Sequence, residues 1–423
     1  MKRVLLLIFS LVLMTTTFAG CAKGGSDSAA GTSTPVKQVT VKIFHQMSEE
    51  GKRKGLQAWA DHVEKEMPGV TFDIQAIDAS QYSTMLKTKM AAGDAPDVIF
   101  GGANDNTDLI DAGYIMDLSG ESFLKNLSKT AVDGMTVNGK AYGMGVDLGV
   151  MGVFYNKDLF KEAGLQVPKT YSEFIKVCDA FKAKGIPPMS HGFKDSWLAQ
   201  VDFQSDFYSE MKKMPTFFDD IAAKKKKFSD FPEFKNSLER FAKRLSYSSG
   251  DDFGTDYSKS IQLFATGKTA MVIQGSWAIS EIRADNPKGN FGFFVNPAAD
   301  VPKDNLLNVG LDDAFMVSST THAKDAIMKL FEYASSAEGA STWASDSNTI
   351  SCAQGVKTEN VDPMVADINE YINNNQIIDT GSWVEFSGQK NSVWLQYQEM
   401  FASKHDNIDK FIADLQNEFD SIS

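Results

Sequence analysis

Cysteine and histidine are scarce in this chain, which has three cysteines and five histidines among 423 residues. No two of them stand at the His-x-x-x-His or Cys-x-x-Cys spacing that marks many metal sites. Cys178 lies among apolar residues at helical spacing and Cys352 follows a polar stretch, so we expect two small buried side chains, although a bridge between them stays open. The sequence therefore predicts no metal and no other cofactor.

Catalytic motifs are missing as well. The chain contains neither a Gly-x-Ser-x-Gly nucleophile turn nor a Gly-x-x-x-x-Gly-Lys-Ser/Thr phosphate loop. Acidic pairs are present at Asp251-Asp252 and Asp312-Asp313, and a glycosidase needs only two facing carboxylates. We therefore expect a protein that is not an enzyme, with a secreted carbohydrate-active enzyme as the competing hypothesis.

Clustered positive charge and long apolar runs are also limited. The formal net charge is −13 and the basic residues are scattered, which argues against a nucleic-acid surface. One apolar run, from Val4 to Met14 and interrupted only by Ser10, follows Lys2 and Arg3 and leads into small residues. It is too short to span a bilayer and is typical of a secretory signal peptide, which we assign to residues 1–20.

The segment Phe18-Ala19-Gly20-Cys21 resembles the cleavage box of bacterial lipoproteins, in which the cysteine thiol receives a diacylglyceryl group. This resemblance implies a lipid anchor of the palmitate type on Cys21, and two acyl chains hold a protein at a membrane. Small and polar residues dominate the stretch that follows, so residues 21–37 are predicted to be a flexible tether. We expect a lipid-anchored protein at the extracellular or periplasmic face of the cell membrane, with an ordinary secretory signal as the alternative.

The body after the tether alternates between two hydrophobic periods. Val39, Val41 and Ile43 alternate with polar residues as in a strand, and the next apolar residues recur at helical spacing up to Pro68-Gly69. A second strand, a second helix and a short buried strand, Asp97 to Phe100, follow. This α/β alternation predicts a mostly parallel sheet with helices on both faces, and the length suffices for two domains.

Aromatic residues stand next to polar groups where strands are predicted to end. Trp277 follows the apolar segment Ala270 to Ile273, and Trp197 and Trp383 are flanked by acids and amides. Sugar rings expose C–H groups on one face and hydroxyls around the rim, so their sites combine stacking aromatics with carboxylates and amides. Core packing is the alternative for each tryptophan.

Four blocks of the chain together resemble the family 1 extracellular solute-binding proteins, the receptors of carbohydrate ABC importers that include the maltodextrin-binding proteins. The blocks are Leu86–Val98 with its Ala-Gly-Asp-Ala-Pro-Asp turn, Gly139–Gly143 with Phe154–Phe160 and Pro168–Thr170, Phe264–Met271 through Gly275-Ser276-Trp277, and Gly310–Phe315. They span most of the chain in the family's order.

The resemblance implies a two-lobe fold of the periplasmic-binding-protein type II, with hinge crossovers and a central cleft. We expect lobe 1 to comprise residues 38–147 and 298–348, and lobe 2 to comprise residues 148–297 and 349–423. The crossings would fall near 147–149, 293–297 and 348–352. The predicted helix at 321–334 would belong to the later part of lobe 1.

The resemblance also implies ligand-binding residues. Trp277 would be the stacking platform of lobe 2, Asn104 and the crossover carboxylate Asp147 would bind hydroxyls, and Ser48 and Glu49 would contact the ligand rim. Trp197, Asp312 and Trp383 match less specifically. The family often has an aromatic residue at the position of Gly101, which this chain lacks.

The partners implied are a small-molecule carbohydrate and the transmembrane subunits of an ABC permease, with the protein itself a monomer. A receptor of the same fold for a polyamine, a peptide or an anion is a further alternative. Anions are disfavoured because the proposed site is acidic and no arginine is near it, whereas a cation stays open.

Overall fold

The structure is a computed structural model that describes residues 38–356, 362–381, 386 and 388–422. The predicted signal peptide, the tether with Cys21, and Trp383 lie outside the described residues. A compact unit of the chain begins at Gln38.

Helices and strands alternate along this unit, as the two hydrophobic periods predict. The strands are β1 Val39–His45, β2 Val70–Ala76, β3 Val98–Phe100, β4 Thr136–Val137, β5 Lys140–Ala141, β6 Gly143–Gly145, β7 Asp147–Asn156, β8 Met189–Ser190, β9 Met271–Gly275, β10 Phe291–Phe294, β11 Leu307–Leu311, β12 Ala314–Val317, β13 Ile350–Ser351 and β14 Ile377–Gly381. The helices are α1 Glu50–Glu66, α2 Ala79–Ala91, α3 Thr107–Asp111, α4 Lys129–Gly134, α5 Lys157–Ala163, α6 Tyr171–Ala183, α7 Trp197–Glu210, α8 Phe217–Ala222, α9 Pro232–Leu245, α10 Tyr257–Ala265, α11 Ala278–Asp285, α12 Lys324–Ala334, α13 Ala337–Ser347, α14 Pro363–Asn373, α15 Gly388–Phe401 and α16 Ile408–Ser421.

The first sheet has the strand order β2-β1-β3-β12-β6 and forms lobe 1. Strand β1 runs parallel to both β2 and β3, because helices α1 and α2 connect these strands in βαβ units. Strand β12 runs antiparallel to β3 and to β6. The sheet is therefore mixed at the edge where the chain returns from the other lobe, and not parallel throughout.

The second sheet has the order β14-β11-β7-β9-β8 and forms lobe 2. Its centre is the ten-residue strand β7, which runs antiparallel to β9, β10, β11 and β13. Among the described strands of this second sheet, only the pairs β11 with β14 and β8 with β9 are parallel. The prediction of a mostly parallel sheet is therefore wrong for this lobe. Its central strand, β7, enters directly from lobe 1 and is not preceded by a helix that packs on the same sheet, as it would be in a βαβ unit.

Each lobe has its own hydrophobic core. The core of lobe 1 includes Trp59 and Trp343, whose stacked rings lie 4.7 Å apart between α1 and α13. The core of lobe 2 is rich in aromatic residues around the buried Trp394 of α15. Leu148, at the start of β7, packs against both cores and marks the first crossing of the chain between the lobes.

The second crossing lies at Asp312–Asp313, and this corrects the boundary expected near 293–297. Strand β11 pairs with β7 and β14 of the second sheet, whereas β12 pairs with β3 and β6 of the first sheet. Residues 307–311 therefore belong to lobe 2. In the range expected for the third crossing, 348–352, β13 pairs with the first two residues of β7, while Cys352 packs in the core of lobe 1.

Local features follow the predicted chemistry. The Thr170 hydroxyl caps α6 by accepting a hydrogen bond from the Glu173 amide, at 3.2 Å. The Glu173 carboxylate reaches back to the Lys169 amide, one residue before the cap. Cys178 and Cys352 are both buried, as expected, and the bridge that the sequence left open is absent because both thiols are free. Among the described residues, no helix combines the length and the apolar character needed to cross a bilayer.

Candidate functional site

A cleft of about 400 Å³ opens between the ends of the two sheets and is lined by residues from both lobes. Lobe 1 contributes the loops after β1 and β3, and lobe 2 contributes α7, the turn after β9 and part of α15. The residue pair of the second crossing, Asp312 and Asp313, forms part of the floor. The predicted residues that line this cleft are Ser48, Glu49, Trp197, Trp277 and Asp312.

Two indole rings form the aromatic part of the lobe 2 wall. Trp277 ends the turn after β9, and Trp197 begins α7. Their ring centroids lie 6.3 Å apart with an angle of 52° between the planes. Trp277 is only 9% exposed, whereas Trp197 is 38% exposed, so Trp197 offers the more open face to a ligand.

Gly275 positions the Trp277 ring. A Cβ atom at residue 275 would lie 2.2 Å from the six-membered ring of Trp277, far inside van der Waals contact. The absence of a side chain therefore allows the indole to lie across the end of β9. Any larger residue at this position would push the ring out of its place at the cleft.

The lobe 1 wall is polar and acidic. Because β1 and β3 are parallel neighbours, the loops after them meet at one edge of the sheet, and they bring Glu49 and Asp105 to the cleft. Asp105 keeps access to solvent through the open side of the cleft, but the surrounding walls displace bulk water and raise the pKa of its carboxyl to about 6.

Asn104, the residue predicted from the sequence in the β3 loop, uses its side chain differently. Its amide nitrogen donates to the backbone oxygen of Gly134 at 3.3 Å, inside lobe 1. The neighbouring Asp105 lines the cleft in its stead. The two residues share a single turn of 3-10 helix, Asn104–Asn106, and the direction of that turn decides which of them faces the cleft.

A buried ion cluster underlies the cleft floor. The ammonium group of Lys52, on α1 of lobe 1, lies 3.0 Å from Asp312 and 2.6 Å from Asp313. Burial by itself lowers the pKa of Lys52, but the attraction of the two carboxylates outweighs it and holds the pKa well above its ordinary value. Burial raises the pKa of Asp312 to about 6, against the opposing attraction of Lys52.

Asp147 belongs to this cluster and lies beneath the floor, away from the cleft surface. It is completely buried. One carboxylate oxygen accepts from the Asp313 amide at 3.0 Å, and the other accepts from the Trp343 indole at 2.9 Å. The structure thus places the predicted hydroxyl-binding carboxylate in a position where it joins two of the crossings to α13.

The carboxylates of Asp147, Asp312 and Asp313 approach one another within 4.8 Å, a spacing at which they could hold a cation. The Lys52 ammonium group already lies between Asp312 and Asp313 at ion-pair distance. Lys52 therefore neutralises part of the charge of these carboxylates, and the cluster is better described as an ion pair between the lobes than as a metal centre.

Sequence reasoning missed Lys52, Asp105 and Tyr257. Tyr257, at the start of α10, lies 5.6 Å from the Trp197 ring, and it is buried behind the cleft wall. Asp105 follows a predicted strand end and could have been chosen with Asn104. Lys52 carries no local signal, because its partners are 260 residues away along the chain.

A family model described as bacterial extracellular solute-binding protein matches residues 48–341. The chain belongs to this family. Among curated relatives, it is 28% identical over 340 residues to the multiple sugar-binding protein of Streptococcus mutans, which covers 77% of this chain and 78% of the relative. It is 25% identical over 333 residues to the melibiose/raffinose/stachyose-binding protein MelE of Bacillus subtilis, which covers 73% and 71%.

Solved structures of this solute-binding class share the fold. A chitin oligosaccharide binding protein matches with a TM-score of 0.78 at 24% identity, covering 90% of this chain and 98% of that one. The solute-binding protein RafE in complex with raffinose matches with a TM-score of 0.75 at 23% identity, covering 90% and 99%. The expected two-lobe fold is therefore confirmed.

Proposed function

We propose that this solute-binding protein captures a sugar or an oligosaccharide in the interlobe cleft and delivers it to the permease of an ABC importer. The observation that carries the proposal is the cleft itself, with two indoles on one wall and carboxylates on the other. Indole faces pack against the C–H face of a sugar ring, and carboxylates accept hydrogen bonds from its hydroxyls. The curated relatives named for sugar binding support the same ligand class.

Capture would proceed by closure of the two lobes around the ligand. The three crossings act as the hinge, and the ligand stabilises the closed state because it contacts both walls at once. Trp197 and Trp277 would supply stacking from lobe 2. Ser48, Glu49 and Asp105 would supply polar contacts from lobe 1, and Asp312 would do so from the floor.

The signal peptide at residues 1–20 and the lipid anchor on Cys21 stay part of the proposal, as do the single-protomer state and the extracellular position. The family is one of extracellular proteins, which supports export. An anchored receptor would remain near its permease while the tether of residues 21–37 allows the lobes to turn toward it. Mass spectrometry of the mature membrane-extracted protein would test the diacylglyceryl group on Cys21.

Binding without catalysis is the last element of the proposal. A receptor for a non-sugar solute and a carbohydrate-active enzyme remain the competing functions. Incubation with oligosaccharides followed by chromatography would separate these hypotheses, since an enzyme releases shorter products and a receptor returns its ligand unchanged.

The central test is a ligand screen by thermal unfolding with a library of oligosaccharides. A ligand at a hundredfold excess over its dissociation constant should add about 2.7 kcal/mol to the free energy of unfolding. A companion test is uptake of that ligand by cells with and without the gene. If no sugar in a broad library raises the unfolding temperature, while another class of solute does, the sugar proposal is rejected.

A further inference from the structure

The charges that line the cleft are unbalanced. Glu49, Asp105, Asp312 and Asp313 contribute four carboxylates, while Lys52 contributes the one cation among the described lining residues. The formal sum is four negative charges against one positive charge, or −3. A cleft with this excess attracts positively charged ligands and repels anions, since opposing walls of low dielectric strengthen the field between them.

The single cation, Lys52, already forms ion pairs within the protein. The Lys52 ammonium group contacts both Asp312 and Asp313 at ion-pair distance, and its side chain is almost fully buried. Arg53, the next residue, lies close to the same loop but turns its guanidinium group to the backbone oxygens of Met47 and Ser48. Lys52 also attracts Glu49 at longer range, but among the described residues neither basic side chain forms an ion pair with Glu49 or Asp105.

Glu49 and Asp105 are left without a counter-ion. Within the part of the chain that the structure describes, neither carboxylate takes part in a hydrogen bond or an ion pair, and both line the cleft. They follow neighbouring parallel strands and line the same cleft, so both carboxylates face the same bound ligand. Loss of bulk water around Asp105 raises the pKa of its carboxyl. A nearby cation would lower this pKa, so the raised value agrees with a carboxylate that has no positive partner.

The opposite wall is suited to the same ligand group. Trp197 and Trp277 present two indole rings at 52° to each other, and indole faces attract ammonium groups as well as the C–H faces of sugars. Carboxylates on one side and aromatic faces on the other form an environment that stabilises a protonated amine. Gln200 also lines the cleft; its amide nitrogen donates to the Glu399 carboxylate, which leaves its amide oxygen to accept from a ligand hydroxyl.

We propose that the preferred ligand is an amino sugar, an oligosaccharide with at least one protonated amine that lies between Glu49 and Asp105 and faces the two indoles. This inference rests on the sugar-binding function proposed above. It makes Glu49 and Asp105 the residues that select the charged sugar over its neutral counterpart. The indoles bind both kinds of sugar.

The test compares three trisaccharides with the same linkage, built from glucosamine, N-acetylglucosamine and glucose, by isothermal titration calorimetry at pH 7. The glucosamine trisaccharide should bind about tenfold more tightly than the other two, because an ammonium group forms charge-assisted hydrogen bonds with carboxylates. The preference should shrink when NaCl is raised from about 50 mM to about 500 mM.

The variants Glu49→Gln and Asp105→Asn should each remove most of this preference, because they should weaken the binding of the glucosamine trisaccharide far more than the binding of the two neutral trisaccharides. Their matched controls are Glu50→Gln and Asp108→Asn, which change neighbouring carboxylates that pair with Lys54 and Lys87 outside the cleft. The controls should keep the full preference.

Three results would overturn the inference. The first is equal or tighter binding of the glucose or N-acetylglucosamine trisaccharide. The second is tight binding of a neutral oligosaccharide from the wider library when none of the three binds. The third is spermidine binding as tightly as the glucosamine trisaccharide, which would remove the need for a sugar. If no sugar of any kind binds, the proposed function itself fails, and not only this refinement.

Discussion

Replacement of Lys52 by Met should destabilise the protein strongly, because it removes the cation from a buried acidic cluster. At an effective dielectric constant of about 20, each of the two contacts, 2.6 Å to Asp313 and 3.0 Å to Asp312, corresponds to about 6 kcal/mol of Coulomb attraction. Most of this attraction is offset by the desolvation of the three charged groups. What remains on deletion of one partner is the cost of uncompensated buried charge, about 3–5 kcal/mol.

The assay is unfolding by guanidinium chloride at pH 7, monitored by tryptophan fluorescence and circular dichroism. Lys54→Met is the matched control, because Lys54 lies on the same helix but is exposed and pairs with the exposed Glu50. Exposed pairs contribute about 0–1 kcal/mol, so the control should stay close to the wild type. The double variant Lys52→Met with Asp313→Asn should recover part of the loss, since it removes one of the unpaired charges.

The pH dependence gives a second readout of the same reasoning. As the pH falls from 7 to 5, the raised pKa values of Asp312 and Asp313 allow these carboxyls to become protonated. The difference in stability between the wild type and Lys52→Met should therefore shrink. A Lys52→Met protein that unfolds within about 1 kcal/mol of the wild type at pH 7 would refute the electrostatic account of the crossings.

Three further predictions concern the cleft. Trp197→Ala should weaken ligand binding about tenfold, or about 1.4 kcal/mol, in titration calorimetry, with little loss of stability. The control is Phe253→Ala, which removes an exposed aromatic side chain outside the cleft and should leave the affinity unchanged. Gly275→Ala should displace the Trp277 ring and weaken binding, which a blunted fluorescence change on ligand addition would reveal; an unaltered response would contradict the proposed role of Gly275. Without ligand, the unfolding temperature of the wild type should rise relative to that of Asp312→Asn when the pH is lowered from 7 to 5. The reason is that burial raises the pKa of Asp312 to about 6, so the folded state binds the proton more tightly than the unfolded chain. An unchanged difference between the two unfolding temperatures would exclude this linkage.

Much of the secondary structure was predictable because its causes are local. The alternating residues of β1 and the helical spacing of α1 depend on neighbours a few positions away, and so does the Thr170 cap of α6. The position of Trp277 at a strand end was predictable for the same reason. The family resemblance added the two-lobe fold, which the match to the family and to its solved structures confirms.

The membership of strands in sheets was less predictable. Strand β11 pairs with β7, about 157 residues earlier, so no local pattern could assign it to lobe 2 or place the second crossing at Asp312–Asp313. Strands β11 and β12 are both buried, so their composition does not show which strand belongs to which sheet. Only the packing of the whole unit selects between the two.

The sequence by itself determined the periodic elements, the Thr170 cap, the position of Trp277 after β9 and the family, because each depends on short stretches of chain. The tertiary structure decided that Asp105 and not Asn104 lines the cleft, that Asp147 is buried under the floor, and that Lys52 joins Asp312 and Asp313 across 260 residues. Charge and burial depend on which distant segments meet, and a linear pattern of residues does not contain that information.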